Sequence, residues 1–596
     1  MATKAKGHED ALSQSMDVYL SVVAIDFGTT YSGFAFSFNS GKENEEIFLN
    51  RDWTNEQNCR TSKTPTCLLL KPDHSFDSFG YDAIEKYSEL QSKKEEKEYL
   101  FFQHFKMELH NNKDVNVTTT IKAANGKSFK ALKVFTHSIK FMKDEAVSIL
   151  ASETGDRDFN VLDIQWVLTV PAIWTPRAKQ FMREAAYEAG VGSKDNPKQL
   201  IIALEPEAAA VFCCEKKLSK LENHKGVEAM DSDLPTSGNE YMVVDIGGGT
   251  LDVAVHQIAD SGTIKEIYKI TGGSHGGLKV NQGFKELLIE LMGEENVVTY
   301  ERENPCDWLA LMNDFEGKKQ GFRVSRERGI SIRLPASFRY LTSRINSSVL
   351  QSYGSTKINF RNEYMKLAPD VVKGLFRPVL SEIKNHLKGL LQRPQLSRVK
   401  TMFLVGGFSD SELLRQEIGN EFSDRYLILA PRNAGIAVLK GAVMFGKNPA
   451  KIAERVVSMT YGADCSRKFD KSIHPEEKRF IVDGRKMCKD LFNLFVKEDE
   501  VARLGGEVKK MYVPLRAHDT LISFGFYVAT NPNTKFITDE GVTKIGSVNV
   551  ESPDISRGRD RDIEVCMHFG GTEIVATAVD VTSGNKAETS LNFFHK

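Results

Sequence analysis

Val22-Val-Ala-Ile-Asp26-Phe-Gly-Thr-Thr-Tyr-Ser-Gly33 is an apolar run that ends on an aspartate, breaks into glycine and threonine, and returns through Phe34-Ala-Phe-Ser-Phe38. A glycine-containing turn between two apolar runs predicts a β-hairpin. Far along the chain, Tyr241-Met-Val-Val-Asp245 runs into Ile246-Gly-Gly-Gly-Thr250 and out through Leu251-Asp-Val-Ala-Val255. The same device used twice predicts two duplicated lobes, with the cleft between them as the natural ligand site.

Between the hairpins the sequence predicts a charged helix over 83–109, a second over 132–152, a buried strand over 161–170, and a helix over 175–190 started by Thr-Pro and stopped by glycine. Strands alternating with helices define an α/β class. Residues 215–240 are polar and aperiodic, an insertion expected outside the core. A third strand over 401–405 enters Gly406-Gly407, and 435–445 is a small-residue helix suited to close packing. From about 450 the pattern becomes short strands (510–515, 520–528, 563–569, 574–581), expected to form an all-β, sandwich-like domain. The expected division is a tail over 1–17, lobe I over 18–240, lobe II with a return helix over 241–449, and a β-domain over 450–596. Within the last, Ser556-Arg-Gly-Arg-Asp-Arg-Asp562 reads as a solvated turn, not an RNA-binding box.

Lys and Arg number 79 against 80 Asp and Glu, so no global field favours nucleic acid or an anionic membrane, and phosphate binding must come from a local site. The first seventeen residues lack the apolar stretch of a signal peptide, and no run is long enough to span a bilayer, which argues for a cytoplasmic or nuclear protein. The eight cysteines show no C-x-x-C spacing, so the sequence indicates neither a zinc site nor a disulfide framework.

Binding a triphosphate requires backbone N–H groups facing an anion, with glycine wherever a side chain would block close approach. Gly28, Thr29, Thr30 and Tyr31 can form one such cradle, and Gly247, Gly248, Gly249 and Thr250 the opposing one. Mg²⁺ prefers oxygen ligands and keeps several waters, so Asp26 and Asp245 at the strand ends suit a hydrated ion held between the lobes. Neither a Walker lysine loop nor a dinucleotide glycine motif opens any helix.

Ile25-Asp-Phe-Gly-Thr-Thr-Tyr-Ser32 resembles the first phosphate loop of the heat-shock 70 kDa family, and Asp245-Ile-Gly-Gly-Gly-Thr-Leu-Asp252 its second. The resemblance implies a two-lobed, actin-like (ribonuclease H-like) ATPase fold that binds ATP or ADP with Mg²⁺. Val167-Leu-Thr-Val-Pro-Ala172 followed by Leu204-Glu-Pro-Glu-Ala-Ala-Ala210 places Glu205 on the family's metal-side acid, and Phe105-Lys106-Met107 falls where the family carries its catalytic lysine. The implied reaction is in-line attack of water on the γ-phosphate, with Lys106, Glu205, Asp245 and Thr250 as the catalytic set. Lys106 has a second reading, a lysine on the surface of a solvated helix, and Glu205 another, a carboxylate at a helix start.

On the nucleoside side, Glu316 and Lys319 correspond to ribose-binding residues, and Gly406, Gly407 and Phe408 to an adenosine turn. Gln320 and Asp410 stand where the family has arginines. His275, in Gly272-Gly-Ser-His-Gly-Gly277, reads as a turn residue. The segment 563–584 resembles the last strands of the family's peptide-binding domain, which implies client polypeptides or signalling proteins as partners. The chain as given ends at Lys596 with no room for a helical lid and no acidic tail for co-chaperones, and Ile452-Ala-Glu-Arg-Val-Val457 replaces the leucine-rich linker. These departures are similar to the type-12 branch of the family. The function expected is a chaperone-like ATPase; an ATP-binding scaffold with little turnover and a small-molecule kinase are the alternatives.

Overall fold

The computed structural model describes residues 19–39, 46–50, 53–54, 60–112, 114–155, 160–215, 220–230, 236–326, 328–354, 356–361 and 363–590; the expected tail over 1–17 and the segment 591–596 lie outside them. Lobe I is built on a sheet whose strands lie in the order Leu200–Leu204, Ile164–Val170, Ser21–Phe27, Tyr31–Phe38, Phe48–Leu49. Lobe II repeats that order with Leu427–Pro431, Val399–Val405, Glu240–Ile246, Leu251–Ile258 and Ile264–Gly273. In each lobe the first strand pairs antiparallel with its hairpin partner and parallel with the strand on its other side. The duplication visible in two turns therefore extends to the whole sheet.

Ser21–Phe27 and Glu240–Ile246 are buried along their full length, as strands in a sheet covered on both faces must be, and their apolar runs supply that burial. The return helix Ala437–Lys447 leaves lobe II and packs on lobe I against the helix Glu205–Cys213. Glycine permits the approach: a Cβ on Gly441 would stand 1.8 Å from the Ala208 carbonyl oxygen.

Three expectations are corrected. The stretch 83–109 is not one helix: Tyr81–Ser92 is helical, Leu100–Gln103 is a strand beside Cys67–Leu70, and Met107–Asn111 is a short second helix. The charges over 93–98 suit a helix, but burying Leu100, Phe101 and Phe102 in a sheet outweighs local propensity. The insertion is not wholly peripheral, because Leu221–Asn223 adds an antiparallel strand to Leu427–Pro431 and Leu221 is buried; residues 216–219 and 231–235 of it lie outside the described residues. The loop 556–562 is not simply solvated, because Arg561 is completely buried. Its guanidinium donates to Gly558 O at 2.7 Å, Ser552 O and Oγ at 2.8 Å each, Asp519 O at 2.8 Å and Ala517 O at 3.1 Å, one bond for each of its five N–H groups.

Beyond the return helix, Ile452–Val456 pairs parallel with Ile264–Gly273 of lobe II and antiparallel with Val501–Arg503, so the linker is itself a strand. Two further antiparallel sheets follow, one of Arg479–Val482, Arg485–Val496, Thr460–Lys468, Leu521–Ala529 and Val542–Glu551, the other of Gly506–Tyr512, Ile563–Phe569, Val575–Asp580 and Lys586–Ser590. They share one apolar core that includes Phe526, Val548, Val565 and Met567.

The linker anchors this region to lobe I through Arg455, whose Nε and Nη2 donate to the two carboxylate oxygens of buried Glu207 at 2.6 and 2.8 Å. Its Nη1 donates to Gly570 O. Beside it, Arg183 of lobe I forms a two-pronged pair with Glu573, its Nε donating at 2.6 Å.

Candidate functional site

Phe27 faces Ser32 in the first hairpin and Ile246 faces Leu251 in the second, so each turn consists of four residues, 28–31 and 247–250. Asp26 and Asp245 occupy the same register position, one step before the turn. The two tips meet: a Cβ on Gly248 would stand 2.5 Å from Thr30 Oγ1, and one on Gly249 2.9 Å from Thr29 Oγ1. Behind the second turn, the amides of Gly276, Gly277 and Leu278 donate to the carbonyls of Gly249, Gly247 and Gly248 at 3.2, 3.1 and 2.8 Å, which fixes the loop at the start of the helix Leu278–Met292. His275 bonds Glu382 at 2.9 Å in this brace, consistent with a turn residue.

One cleft of about 2330 Å³ runs between the lobes, and every residue expected to contact nucleotide or metal lines it. At its floor lie the carboxyl groups of Asp26, Asp245 and Glu205, and Asp252, buried and outside the lining, is close enough for its charge to act on the last two. Asp26 accepts from Lys63 Nζ at 2.6 Å and Thr169 Oγ1 at 2.9 Å. Glu205, at the start of its helix, accepts from Lys106 Nζ at 2.8 Å. Lys106 is 2% exposed and lies 5.2 Å from the centre of the Trp174 ring, so the surface-helix reading fails. Asp252 accepts from Ile173 N at 2.9 Å. Asp245 is reached by none of these lysine hydrogen bonds.

Burial acts to raise the Asp26 carboxyl, but the charge and hydrogen bond of Lys63, with Lys106 and Thr169, hold it below its usual range. Burial pushes Glu205 up to about 7 against the pull of Lys106. It pushes Asp245 well above the carboxylate range, and Glu205, Asp252 and Asp26 push in the same direction. Four carboxyl groups thus meet two ammonium groups, and without a further cation the crowding is relieved by protons that Glu205 and Asp245 hold where an ordinary carboxylate would have lost them. An all-oxygen donor set that would exchange those protons for a divalent cation fits a hydrated Mg²⁺, and the turns at Gly28, Gly248 and Gly249, where an added Cβ would collide, fit phosphate oxygens.

On the nucleoside side, Lys319 donates to Asn281 Oδ1 at 2.8 Å and Gly277 O at 3.1 Å, and is paired with Glu316 at 2.5 Å. Burial acts to raise the Glu316 carboxyl, but Lys319, Asn281 and Gln320 together hold it low. Gln320 also reaches the Tyr31 phenol across the cleft. Asp410 accepts from the amides of Ala434 at 2.9 Å and Gly435 at 3.2 Å, tying two backbone turns together.

Sequence reasoning missed Lys63 and His104 altogether. His104 sits at φ 53° on the cleft wall, with its side chain exposed. Asp252 had been read only as part of a motif, although its hairpin register with Asp245 carried the signal.

Two copies of one five-stranded sheet closing on a cleft lined by glycine and carboxylate define the actin-like, two-lobed class of fold. A family model described as a domain of unknown function (DUF8340) matches residues 235–391. The chain is 38% identical to Heat shock 70 kDa protein 12A of Mus musculus over 97% of its own length and 92% of that protein. It is 36% identical to Heat shock 70 kDa protein 12B of Homo sapiens over 96% and 91%. A chaperone protein DnaK 3 of Synechococcus matches 44% of the chain at 23% identity, covering 34% of its own length. The chain belongs to the type-12 branch of the heat-shock 70 kDa family.

Proposed function

We propose that this is a chaperone-like protein that binds ATP with Mg²⁺ between its lobes, hydrolyses it slowly, and couples nucleotide state to a polypeptide-binding β-domain. The observation that carries this reading is the pair of opposed glycine turns above a floor where carboxyl groups outnumber the ammonium groups beside them, so that Asp245 and Glu205 hold protons a divalent cation would displace. Gly28 to Tyr31 and Gly247 to Thr250 would hold the phosphates, and Asp26 and Asp245 would hold the metal through water. When bound, Mg²⁺ would supply neutralisation of phosphate charge.

The chain's own residues supply the remainder. Glu205, poised near neutrality, can take a proton from an attacking water while Lys106 orients it and offsets developing charge. Thr250, hydrogen-bonded to the Asp252 carboxylate, can reach the terminal phosphate. Glu205 and Glu207 lie two residues apart on one helix, so the group at the reacting water is covalently close to the group that holds the linker Arg455. This continuity supports coupling between the cleft and the β-domain.

One observation favours a second reading, an ATP-binding scaffold with little turnover: the two lysines at the carboxylate floor, Lys63 and Lys106, are already engaged by carboxylates. Calorimetric titration with ATP and Mg²⁺ followed by single-turnover hydrolysis separates the two. Binding with hydrolysis that Asp245→Asn abolishes supports the ATPase. Binding with a rate unaffected by that substitution refutes it in favour of the scaffold, and no binding refutes both.

A further inference from the structure

The outer face of the four-stranded sheet carries a cluster unconnected with the cleft. In a strand, alternate residues share a face. Val565, Met567 and Phe569 point into the apolar core, so Cys566 and His568 point to the opposite side. Glu507, on the antiparallel neighbour Gly506–Tyr512, stands directly opposite His568. The three side chains therefore converge from two strands, and the Cys566 sulfur, a His568 ring nitrogen and a Glu507 carboxylate oxygen all lie within 4.8 Å of one another.

The two spacings made by Glu507 are those of a coordination polyhedron. Bonds of about 2.0–2.3 Å from a tetrahedral metal to N, O and S ligands place those ligands about 3.3–3.8 Å apart. Cys566 Sγ lies 3.3 Å from Glu507 Oε2, and His568 Nδ1 lies 3.8 Å from the same oxygen. Lys509 takes the other carboxylate oxygen, Oε1, at 3.2 Å, which leaves Oε2 for the cluster. Cys566 is buried, while the side chains of His568 and Glu507 are 38% and 42% exposed, so the cluster has a closed side toward the sheet and an open side toward solvent.

We infer that Glu507, Cys566 and His568 form a Zn²⁺ site with three protein ligands and a fourth position open to water. A borderline-soft ion suits a thiolate, an imidazole and a carboxylate together, whereas Mg²⁺ and Ca²⁺ would not select the sulfur. Binding forms a metal–sulfur bond as the Cys566 S–H proton passes to solvent. Cysteine spacing in the sequence could not reveal this site, since Cys566-Met-His568 offers only two ligands and the third comes from a residue remote in sequence.

The test uses the full chain, stripped with chelator and titrated with Co²⁺ and then with Zn²⁺. The site predicts one equivalent of Co²⁺ giving an intense near-ultraviolet thiolate-to-metal band and visible bands of tetrahedral intensity, both displaced by Zn²⁺. Cys566→Ser should remove the thiolate band. His568→Ala and Glu507→Gln, at half-exposed positions, should each weaken Co²⁺ binding by at least about tenfold while leaving the far-ultraviolet circular dichroism of the chain unchanged. Absence of a thiolate band, a band that survives Cys566→Ser, or affinity unchanged by both His568→Ala and Glu507→Gln would each overturn the assignment.

Discussion

Replacing Arg455 with methionine keeps most of the side-chain volume in the linker strand but leaves Glu207 facing an apolar group. The Glu207 side chain is 1% exposed and both of its carboxylate oxygens are taken by Arg455. Breaking a buried pair by removing one partner costs about 3–5 kcal/mol. The loss has a ceiling, because the orphaned carboxylate can take a proton instead. Protonating an ordinary glutamate with a pKa of about 4.3 costs about 3.7 kcal/mol at pH 7 and about 1.6 kcal/mol at pH 5.5.

Arg455→Met should therefore lower the stability of the first unfolding transition by about 3–4 kcal/mol at pH 7 and by about 2 kcal/mol less at pH 5.5. Urea unfolding of the full chain, followed by far-ultraviolet circular dichroism at both pH values, measures it. The double variant Glu207→Gln with Arg455→Met should recover more than half of the loss, since no charge is then stranded. A deficit below about 1 kcal/mol at pH 7, or one equal at both pH values, would refute the reasoning that this pair bears a buried charge between lobe I and the linker.

Gly248→Val should abolish ATP binding, because its side chain would collide with Thr30 across the tips; unchanged affinity by calorimetry would remove the phosphate site from these turns. Lys106→Met should slow single-turnover hydrolysis by about 10²–10⁴-fold and shift its pH dependence upward, because Glu205 loses the cation that restrains it; an unaltered pH profile would show that the two act separately. Burial pushes Glu266 up to about 8 and His256, opposite it on the next strand, down to about 4. Between pH 6.5 and 8 Glu266, like Glu205 and Asp245 in the cleft, holds a proton that the unfolded chain has lost, so stability should fall as pH rises through that window, with about 1–2 kcal/mol of the fall due to Glu266. Below pH 6.5 the fading His256 contribution opposes the Glu266 gain. Glu266→Gln should make the slope in the upper window shallower by that share, and an identical slope in that variant would assign the effect elsewhere.

The two hairpins were legible because everything that makes them is local: an apolar run, an aspartate, and glycine where the chain turns. The second-hairpin glycines and the Gly406 turn were readable for the same reason, and Gly406, at φ 84° with Asp245 Oδ1 2.2 Å from where its Cβ would be, shows why glycine is needed. Lys63 was not legible, since nothing near it in sequence marks it and it sits in a bend whose partner, Asp26, lies on a strand well before it in sequence. Lys106 was placed by resemblance but set on the wrong element, because the charges at 93–98 mask the apolar triplet that starts the next strand. Strand pairing over long separation likewise hid Leu221–Asn223 and the linker, whose short runs carry no periodic signal of their own.

The linker's pairing also bears on where this chain can be divided. In sequence the change from α/β to all-β falls near 450, yet the hydrogen bonds of the lobe II sheet continue through Ile452–Val456 into Val501–Arg503. A fragment ending at 449 would uncover the backbone at the start of Ile264–Gly273 as a bare sheet edge, and would strand Glu207 without its arginine. Exposed edges recruit other strands. Such a fragment should self-associate, whereas one carried through the linker and its partner strand would keep that edge covered.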